Sequence, residues 1–236
     1  MSKETHLLKK AVVKFRDLAG INSNEPVNTH ALLLKLNVLA VFKPMSPDFS
    51  GMALKVNDKN FMLINSGHSV GRQNFSIAHE LYHLFVQEDF HTHSCEVNAL
   101  DTQNKEEKKA NNFASEFLLP EEALYEYIPE SEIGKNKISL GTLLKMEQIF
   151  AVSHIALLIR LRSLKLIDQS FIDAQSLTSI SKQANSYGFP THIYNPANHN
   201  LILGDYGVKV NELFDEGKIS EGHFHELIQV LNHGQE

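Results

Sequence analysis

The sequence predicts an α+β protein in which a small antiparallel sheet is followed by helices. Three short apolar runs, each bounded by turn-forming residues, are VLAVFK (38–43), GMALKV (51–56) and FMLINS (61–66). Beyond them, apolar residues recur at helical spacing from Phe75 to about Gln87, and again from about Asn104 to Leu119, where Pro120 ends the pattern. Strands that precede a run of helices are typical of the α+β class.

Two helices are predicted before the sheet. Apolar residues from Leu7 to Phe15 recur at helical spacing, and Gly20 is well placed to end that helix. A second, short helix begins at Asn28 or Thr29, whose side chains are suited to an N-cap. The segment NDKN between the second and third apolar runs predicts a hairpin turn.

The C-terminal half is predicted to be mostly helical. Residues 139–165 form two helices joined by a tight turn near 151–153, and a polar linker follows from about Asp168 to Asn185. An irregular stretch with one strand comes next. The chain then closes with a helical hairpin, in which Gly217 ends the first helix and Ser220 begins the second.

Composition bounds the class of protein. Of the 236 residues, 42% are hydrophobic, which is enough for the core of a globular protein. The formal net charge of -6 provides no general basic field, and this argues against direct nucleic-acid binding. No apolar run approaches the roughly 20 residues that cross a membrane, and no signal peptide is recognisable. The single cysteine, Cys95, fits a reducing compartment, and we expect a cytoplasmic protein.

The segment HELYH, residues 79–83, carries the strongest chemical pattern. On a helix, His79 and His83 lie on one face and can both bind one metal ion through a ring nitrogen. Glu80 is turned away by about 100° and cannot easily bind the same ion, but it can reach a water on that ion. This is the arrangement of a zinc hydrolase, in which the carboxylate takes the proton of the water and later delivers it to the leaving amine.

The alternative is a pair of surface or capped core histidines. Random order produces this pattern in roughly one chain in twenty, so the context has to decide. The helix is apolar on the side that faces a core, and it follows a short sheet. By comparison, the segment HELIQ at His225 has no second histidine. A third ligand is available from Glu106 or Glu107, both of which lie at the start of an apolar helical stripe where a carboxylate requires a cation.

Two motifs, FSIAHELYH and EKKANNFASEFLLP, resemble those of the ImmA/IrrE family of metallopeptidases. The family patterns are F-t-x-A-H-E-x-x-H and E-x-x-A-N-x-F-A-x-x-L-L-x-P, and the second is met except at Phe117, where the family has leucine. The resemblance covers about residues 10–165. It implies a zincin-like catalytic domain in which His79, His83 and Glu107 bind Zn2+ and Glu80 is the catalytic base. Glu106 is then a solvated neighbour.

The resemblance also implies a substrate. Family members are linked to helix-turn-helix repressors, which they cleave or inactivate, so a repressor encoded nearby is the expected partner. Tyr82 departs from the glycine that the family often has, and we interpret it as a packing residue in preference to a part of the substrate groove. We divide the chain into a zincin-like metallopeptidase domain (1–135), a helix-turn-helix-like helical region (136–166) and a C-terminal extension (167–236).

Other groups of residues compete with this interpretation. His91, His93 and Cys95 could form a second zinc site or assist catalysis, but alternate residues on a loop do not make a four-ligand site by themselves. Three basic residues on or after the second helix of the helix-turn-helix-like region could touch DNA, although packing onto the catalytic domain is the better interpretation. These residues are Arg160, Arg162 and Lys165.

The sequence therefore predicts a zinc-dependent metallo-endopeptidase of ImmA/IrrE type. The opposing hypothesis is a non-proteolytic regulatory protein on the same fold, which sequesters a partner or contacts DNA. Glu80 discriminates between them, because sequestration does not require that carboxylate whereas hydrolysis does. The C-terminal extension either docks a partner or covers part of the core, and the oligomeric state is left open.

Overall fold

The computed structural model describes residues 3–88, 93–96, 105–175 and 179–232, with only the backbone for 93–96. The strands are β1 (Val38–Lys43), β2 (Phe49–Val56), β3 (Lys59–Asn65), β4 (His93–Glu96) and β5 (Ile202–Leu203). The helices of the N-terminal half are α1 (Lys3–Ala19), α2 (Thr29–Lys35), α3 (Val70–Phe85), α4 (Lys105–Leu118) and α5 (Glu121–Tyr127). Those of the C-terminal half are α6 (Leu140–Phe150), α7 (His154–Ser163), α8 (Gln169–Gln175), α9 (Ile180–Ser186), α10 (Tyr206–Asp215) and α11 (Glu221–Asn232).

The α+β class is confirmed, but the sheet is mixed and the prediction of an antiparallel sheet is wrong. The strand order is β4-β2-β3-β1-β5. β2 and β3 form the predicted hairpin, with Asn57 at the turn in a left-handed conformation (φ 51°). β1 pairs in parallel with β3. β2 is not next to β1 in the sheet, because β3 lies between them. β3 runs antiparallel to β2 and in the same direction as β1.

Aromatic side chains of α1, α3 and α4 pack together in the core. The Phe15 ring on α1 lies 5.6 Å from Phe113 and 5.3 Å from Phe117, both on α4, and 5.8 Å from Phe85 on α3. These aromatic contacts fix α4 against α3 on the face of α3 away from the sheet. α3 is consequently buried between the sheet and α4, with Gly71 to Leu84 largely shielded from solvent.

α6 and α7 meet at a corner, as predicted. Ala151 takes a left-handed conformation there (φ 49°), and Ser153 begins α7 by accepting a hydrogen bond from the backbone of Ala156. Within the described ranges, no single helix is long and apolar enough to cross a membrane, and α6 and α7 pass such a test only as a pair bent by 107°.

The predicted linker from about Asp168 to Asn185 is wrong, because it contains α8 and α9. Asp168 begins α8 by accepting the backbone N–H of Phe171. Each helix contributes a single buried apolar residue in the described part, Ile172 in α8 and Ala184 in α9, and this leaves too weak a pattern for sequence analysis. The predicted closing hairpin is confirmed as α10 and α11.

The segment between α9 and α10 attaches to the start of α3 and to the sheet. β5 extends the sheet beside β1. Gln73 on α3 donates hydrogen bonds to the carbonyls of His68 (2.7 Å) and Ala197 (3.0 Å), and it accepts one from the Asn198 amide (2.9 Å). These bonds hold the beginning of α3, and hence the orientation of its histidine-bearing face, against the C-terminal part of the chain.

Candidate metal centre

Two imidazoles converge on α3. His79 and His83 lie one helical turn apart, and their Nε2 atoms are 3.1 Å from each other. His79 is 6% exposed and His83 is fully buried. Because α3 is enclosed by the sheet and α4, both rings are held inside the molecule and directed towards α4.

α4 supplies a carboxylate to the same point. Glu107 lies in the first turn of α4, on the buried side of the helix that also carries Ala110 and Phe113. Its two oxygens lie 3.2 Å from Nε2 of His79 and 3.2 Å from Nε2 of His83. The structure therefore brings together three of the residues that the sequence predicts as metal ligands, and Glu107 is the inward-facing member of the Glu106–Glu107 pair.

Hydrogen bonds fix the tautomer of each imidazole. Nδ1 of His79 lies 3.0 Å from Oδ1 of Asn111, and Nδ1 of His83 lies 2.5 Å from Oε1 of Gln87. An amide oxygen only accepts hydrogen bonds, so each neutral ring carries its hydrogen on Nδ1 and presents the lone pair of Nε2. Sequence reasoning assigned no role to Asn111 or Gln87, although Asn111 occupies a fixed position of the second motif.

The donor atoms fit a divalent cation. A tetrahedral ion about 2.0–2.2 Å from each ligand atom separates those atoms by about 3.3–3.6 Å. The three separations of 3.1, 3.2 and 3.2 Å between His79, His83 and Glu107 are only slightly shorter. Lone pairs and a carboxylate that meet in a buried volume repel one another unless a proton or a cation lies between them. Nitrogen and oxygen donors of this kind suit a first-row transition metal.

The electrostatics of the site favour positive charge. Burial lowers the pKa of His83, but hydrogen bonds with Glu107 and Gln87 outweigh it, so the pKa lies above its usual value. Burial raises the pKa of Glu107, yet hydrogen bonds with His79 and His83 hold it well below its usual range. In the metal-free protein, these contacts therefore favour the protonated imidazole of His83 and the ionised carboxylate of Glu107 more than water does. A bound metal cation would be stabilised by the same negative electrostatic potential.

Glu80 lies beside β2. Its side chain is fully buried, and a Cβ placed on Gly51 would lie 3.3 Å from Oε1 of Glu80. The same Cβ would lie 3.2 Å from the carbonyl oxygen of Leu63. Glycine at this position of β2 thus leaves room for the carboxylate next to the two imidazoles. Sequence analysis did not single out Gly51, because a glycine within a strand has no distinctive pattern.

Tyr82 packs between α3 and α4. Its ring is 4% exposed and lies 5.6 Å from that of Phe113, and its hydroxyl donates a 2.8 Å hydrogen bond to Glu106. These contacts agree with the packing interpretation, although Tyr82 also lines the cleft. Glu106 is not merely a solvated neighbour, since it also forms a 2.6 Å ion pair with Lys109. Burial raises the pKa of Glu106, but the hydrogen bonds from Lys109 and Tyr82 lower it below its usual value.

The structure describes the other predicted groups only in part. His91 falls outside the described residues, and His93 and Cys95 lie on β4, for which only the backbone is described. Arg160 is buried, where it pairs with Glu116 at 2.8 Å. Arg162 and Lys165 are exposed.

The candidate metal centre opens into a cleft. α1 and α4 form one part of the wall and α7 forms another, and His79, Glu80 and Glu107 line the same cavity. Arg72, in the first turn of α3, lines it as well. The cleft therefore leads from solvent to His79, Glu80 and Glu107.

The fold and the centre define an α+β protein with a buried His-His-Glu group that can hold a metal ion. A family model, Peptidase M78, described as the IrrE N-terminal-like domain, matches residues 35–162, which is more than half of the chain. The chain belongs to this family. The predicted ImmA/IrrE resemblance is thus confirmed. A search of curated proteins finds no significant match.

Proposed function

We propose that the protein is a zinc-dependent metallo-endopeptidase in which His79, His83 and Glu107 hold the ion and Glu80 is the general base. One observation carries the proposal: two Nε2 atoms and a carboxylate from different helices converge within 3.2 Å. Two histidines and one glutamate are a ligand set of catalytic zinc. Membership of a peptidase family adds independent support.

Zinc, when bound, acidifies a water and polarises the scissile carbonyl. The chain itself supplies the proton transfers. Glu80 takes a proton from the attacking water as the new carbon–oxygen bond forms, and it delivers that proton to the leaving amine as the carbon–nitrogen bond breaks. The buried position of Glu80 beside Gly51 keeps its carboxylate close to the imidazoles. Asn111 and Gln87 hold the two rings in the tautomer that presents Nε2.

The proposed substrate is a helix-turn-helix repressor encoded near the gene. Its support is the family resemblance. The open cleft around the centre is compatible with an extended segment of a protein substrate.

The test is intact-mass analysis of the repressor encoded nearest this gene, after incubation with the zinc-loaded protein. Glu80→Ala at matched zinc content is the control, because it removes the base and keeps the three ligands. We expect two discrete fragments with the unaltered protein and none with the variant. If the repressor stays intact and still co-purifies with both forms, the peptidase proposal is wrong and the protein sequesters its partner.

A further inference from the structure

Arg72 is a cleft cation that the proposed mechanism does not use. It lies in the first turn of α3, is half-buried, and lines the same cleft as His79 and Glu80. Burial lowers the pKa of its guanidinium below the usual value, yet arginine remains charged. Within the described parts of the chain, the Arg72 side chain forms no ion pair and no hydrogen bond.

Three other cations that line this cleft are neutralised by carboxylates. Lys9 lies 2.8 Å from Glu121, Lys109 lies 2.6 Å from Glu106, and Arg160 lies 2.8 Å from Glu116. A half-buried guanidinium that lacks such a partner is costly, because burial removes water from five N–H donors. An anion that enters the cleft would supply the missing hydrogen bonds.

Two helix N-termini meet beside Arg72 and add to its field. A Cβ on Gly71 would lie 2.6 Å from the backbone nitrogen of Ser153, so the start of α3 touches the start of α7. The amide of Asn74 fixes this contact with a 2.8 Å hydrogen bond to the carbonyl of Ala151. Helix N-termini carry partial positive charge, and the N-cap residues of both helices, Ser69 and Ser153, line the cleft.

The buried carboxylate of the α6–α7 corner is already engaged. Glu147 accepts a 2.7 Å hydrogen bond from the hydroxyl of Tyr194 and lies 2.6 Å from Nδ1 of His154. Glu147 belongs to the interior of the α6–α7 corner and is fully buried, whereas Arg72 lines the cleft. The positive end of the cleft therefore remains available to a ligand.

The spacing on α3 sets the distance between this positive end and the metal centre. Arg72 and His79 are seven residues apart, so they lie on nearly the same face of the helix, about 10 Å apart along its axis. An extended peptide advances about 3.3 Å per residue. A side chain that contacts Arg72 thus belongs to a residue within about three positions of the bond at the centre.

We infer that Arg72, with the N-terminal ends of α3 and α7, forms a subsite for a carboxylate side chain of the peptide substrate. The inference rests on the proposed function, because the cut site is defined by the metal centre. Substrates should carry Asp or Glu within about three residues of the scissile bond. Since the whole chain has a net charge of -6, an acidic segment requires a local cation such as Arg72 where it binds.

The test uses a mixture of randomised decapeptides with acetylated N-termini and amidated C-termini, so that Asp and Glu side chains are the only carboxylates. Cut sites are mapped by mass spectrometry for the zinc-loaded protein, Arg72→Gln and Arg72→Glu. Lys108→Gln, which removes a cation from an exposed position on the same cleft, is the matched control. Zinc content and melting temperature are matched across the variants. In parallel, peptides retained by the zinc-loaded Glu80→Gln variant, with and without Arg72→Gln, are identified.

We expect Asp and Glu to be enriched about tenfold near the cut, with the enrichment lost in Arg72→Gln, replaced by Lys and Arg in Arg72→Glu, and kept in Lys108→Gln. Cleavage without an acidic preference would overturn the subsite and leave the peptidase standing. Absence of cleavage, together with retention of acidic peptides that depends on Arg72, would overturn the peptidase and support the subsite. Absence of both would overturn the subsite.

Discussion

Asn111 Oδ1 lies 3.0 Å from Nδ1 of His79, one helical turn beyond Glu107 on α4. α4 thus places the proposed ligand Glu107 and the amide of Asn111 four positions apart, facing the two imidazoles that α3 presents at the same spacing. The centre is built from two parallel i, i+4 pairs, one on each helix. Its geometry therefore depends on how α3 and α4 pack.

Replacing Asn111 tests its orienting role. Asn111→Leu removes the acceptor that holds His79 in its tautomer, and we expect zinc affinity to fall about 10–100-fold. Asn112→Leu, a change at the exposed neighbouring position, should leave the affinity unchanged. Competition with a chromophoric chelator measures both. Equal affinities in the two variants would show that the hydrogen bond has no influence on the ion.

Gly51→Ala tests the space around the proposed base. The added methyl group would press on Oε1 of Glu80 and on the carbonyl of Leu63, so the carboxylate has to move. We expect turnover to fall at least about tenfold while zinc content is kept, since a displaced general base loses much of its contribution. Gly222→Ala is the control, because nothing lies within 4 Å of its added Cβ. Full turnover in Gly51→Ala would contradict this placement of the base.

The pH dependence of stability should differ between the metal-free and zinc-loaded proteins. In the metal-free protein, the raised pKa of His83 contributes stability that is complete below the unfolded value of about 6.5 and is lost as the pH rises through the folded pKa. The lowered pKa of Glu107 contributes stability that is present above about 4.5 and is lost in acid. Protons compete with zinc for the same atoms, so zinc stabilises the protein less as the pH falls.

Melting temperatures between pH 5 and 8.5, with zinc and with a chelator, measure this difference. The gap between the two curves should widen as the pH rises. A gap that stays constant across the range would mean that the ion is bound away from titrating imidazoles.

Tyr194 should stabilise the α6–α7 corner from the C-terminal extension. Its hydroxyl donates to Glu147, which is fully buried, and burial raises the pKa of Tyr194. Tyr194→Phe leaves that carboxylate with one donor fewer, and we expect the free energy of unfolding to fall by about 1–3 kcal/mol. Tyr187→Phe, at a position that is 56% exposed, is the control. Chemical denaturation with equal losses for both variants would rule out a specific role for the Glu147 contact.

Sequence analysis predicted the elements whose pattern is local. The helical period around residues 79–83, the helix start at Asn28 or Thr29 and the tight turn near 151–153 depend on near neighbours, and the structure has them as predicted. The strand order could not be predicted from local patterns, because the position of β3 between β1 and β2 depends on packing of the whole sheet. No local pattern distinguishes the parallel pair from an antiparallel one.

The candidate site likewise contains residues that belong to a local motif and residues that do not. His79, Glu80 and His83 belong to one short motif, and Glu107 follows from a second motif whose helix has a clear apolar face. Gly51 on β2 matters only because it lies next to Glu80 in the folded protein, so no sequence motif marks it. No sequence motif gave Arg72 a role either, since its proposed role in substrate binding depends on the cleft and on the start of α7.

X-ray absorption spectroscopy at the zinc edge, on protein loaded with one equivalent of zinc, tests the central claim most directly. We expect only nitrogen and oxygen neighbours at about 2.0–2.2 Å, and loss of tight binding in His83→Ala and Glu107→Gln but not in His225→Ala. A sulfur neighbour at about 2.3 Å, or zinc that stays tightly bound in both ligand variants, would place the ion at another site such as one that includes Cys95.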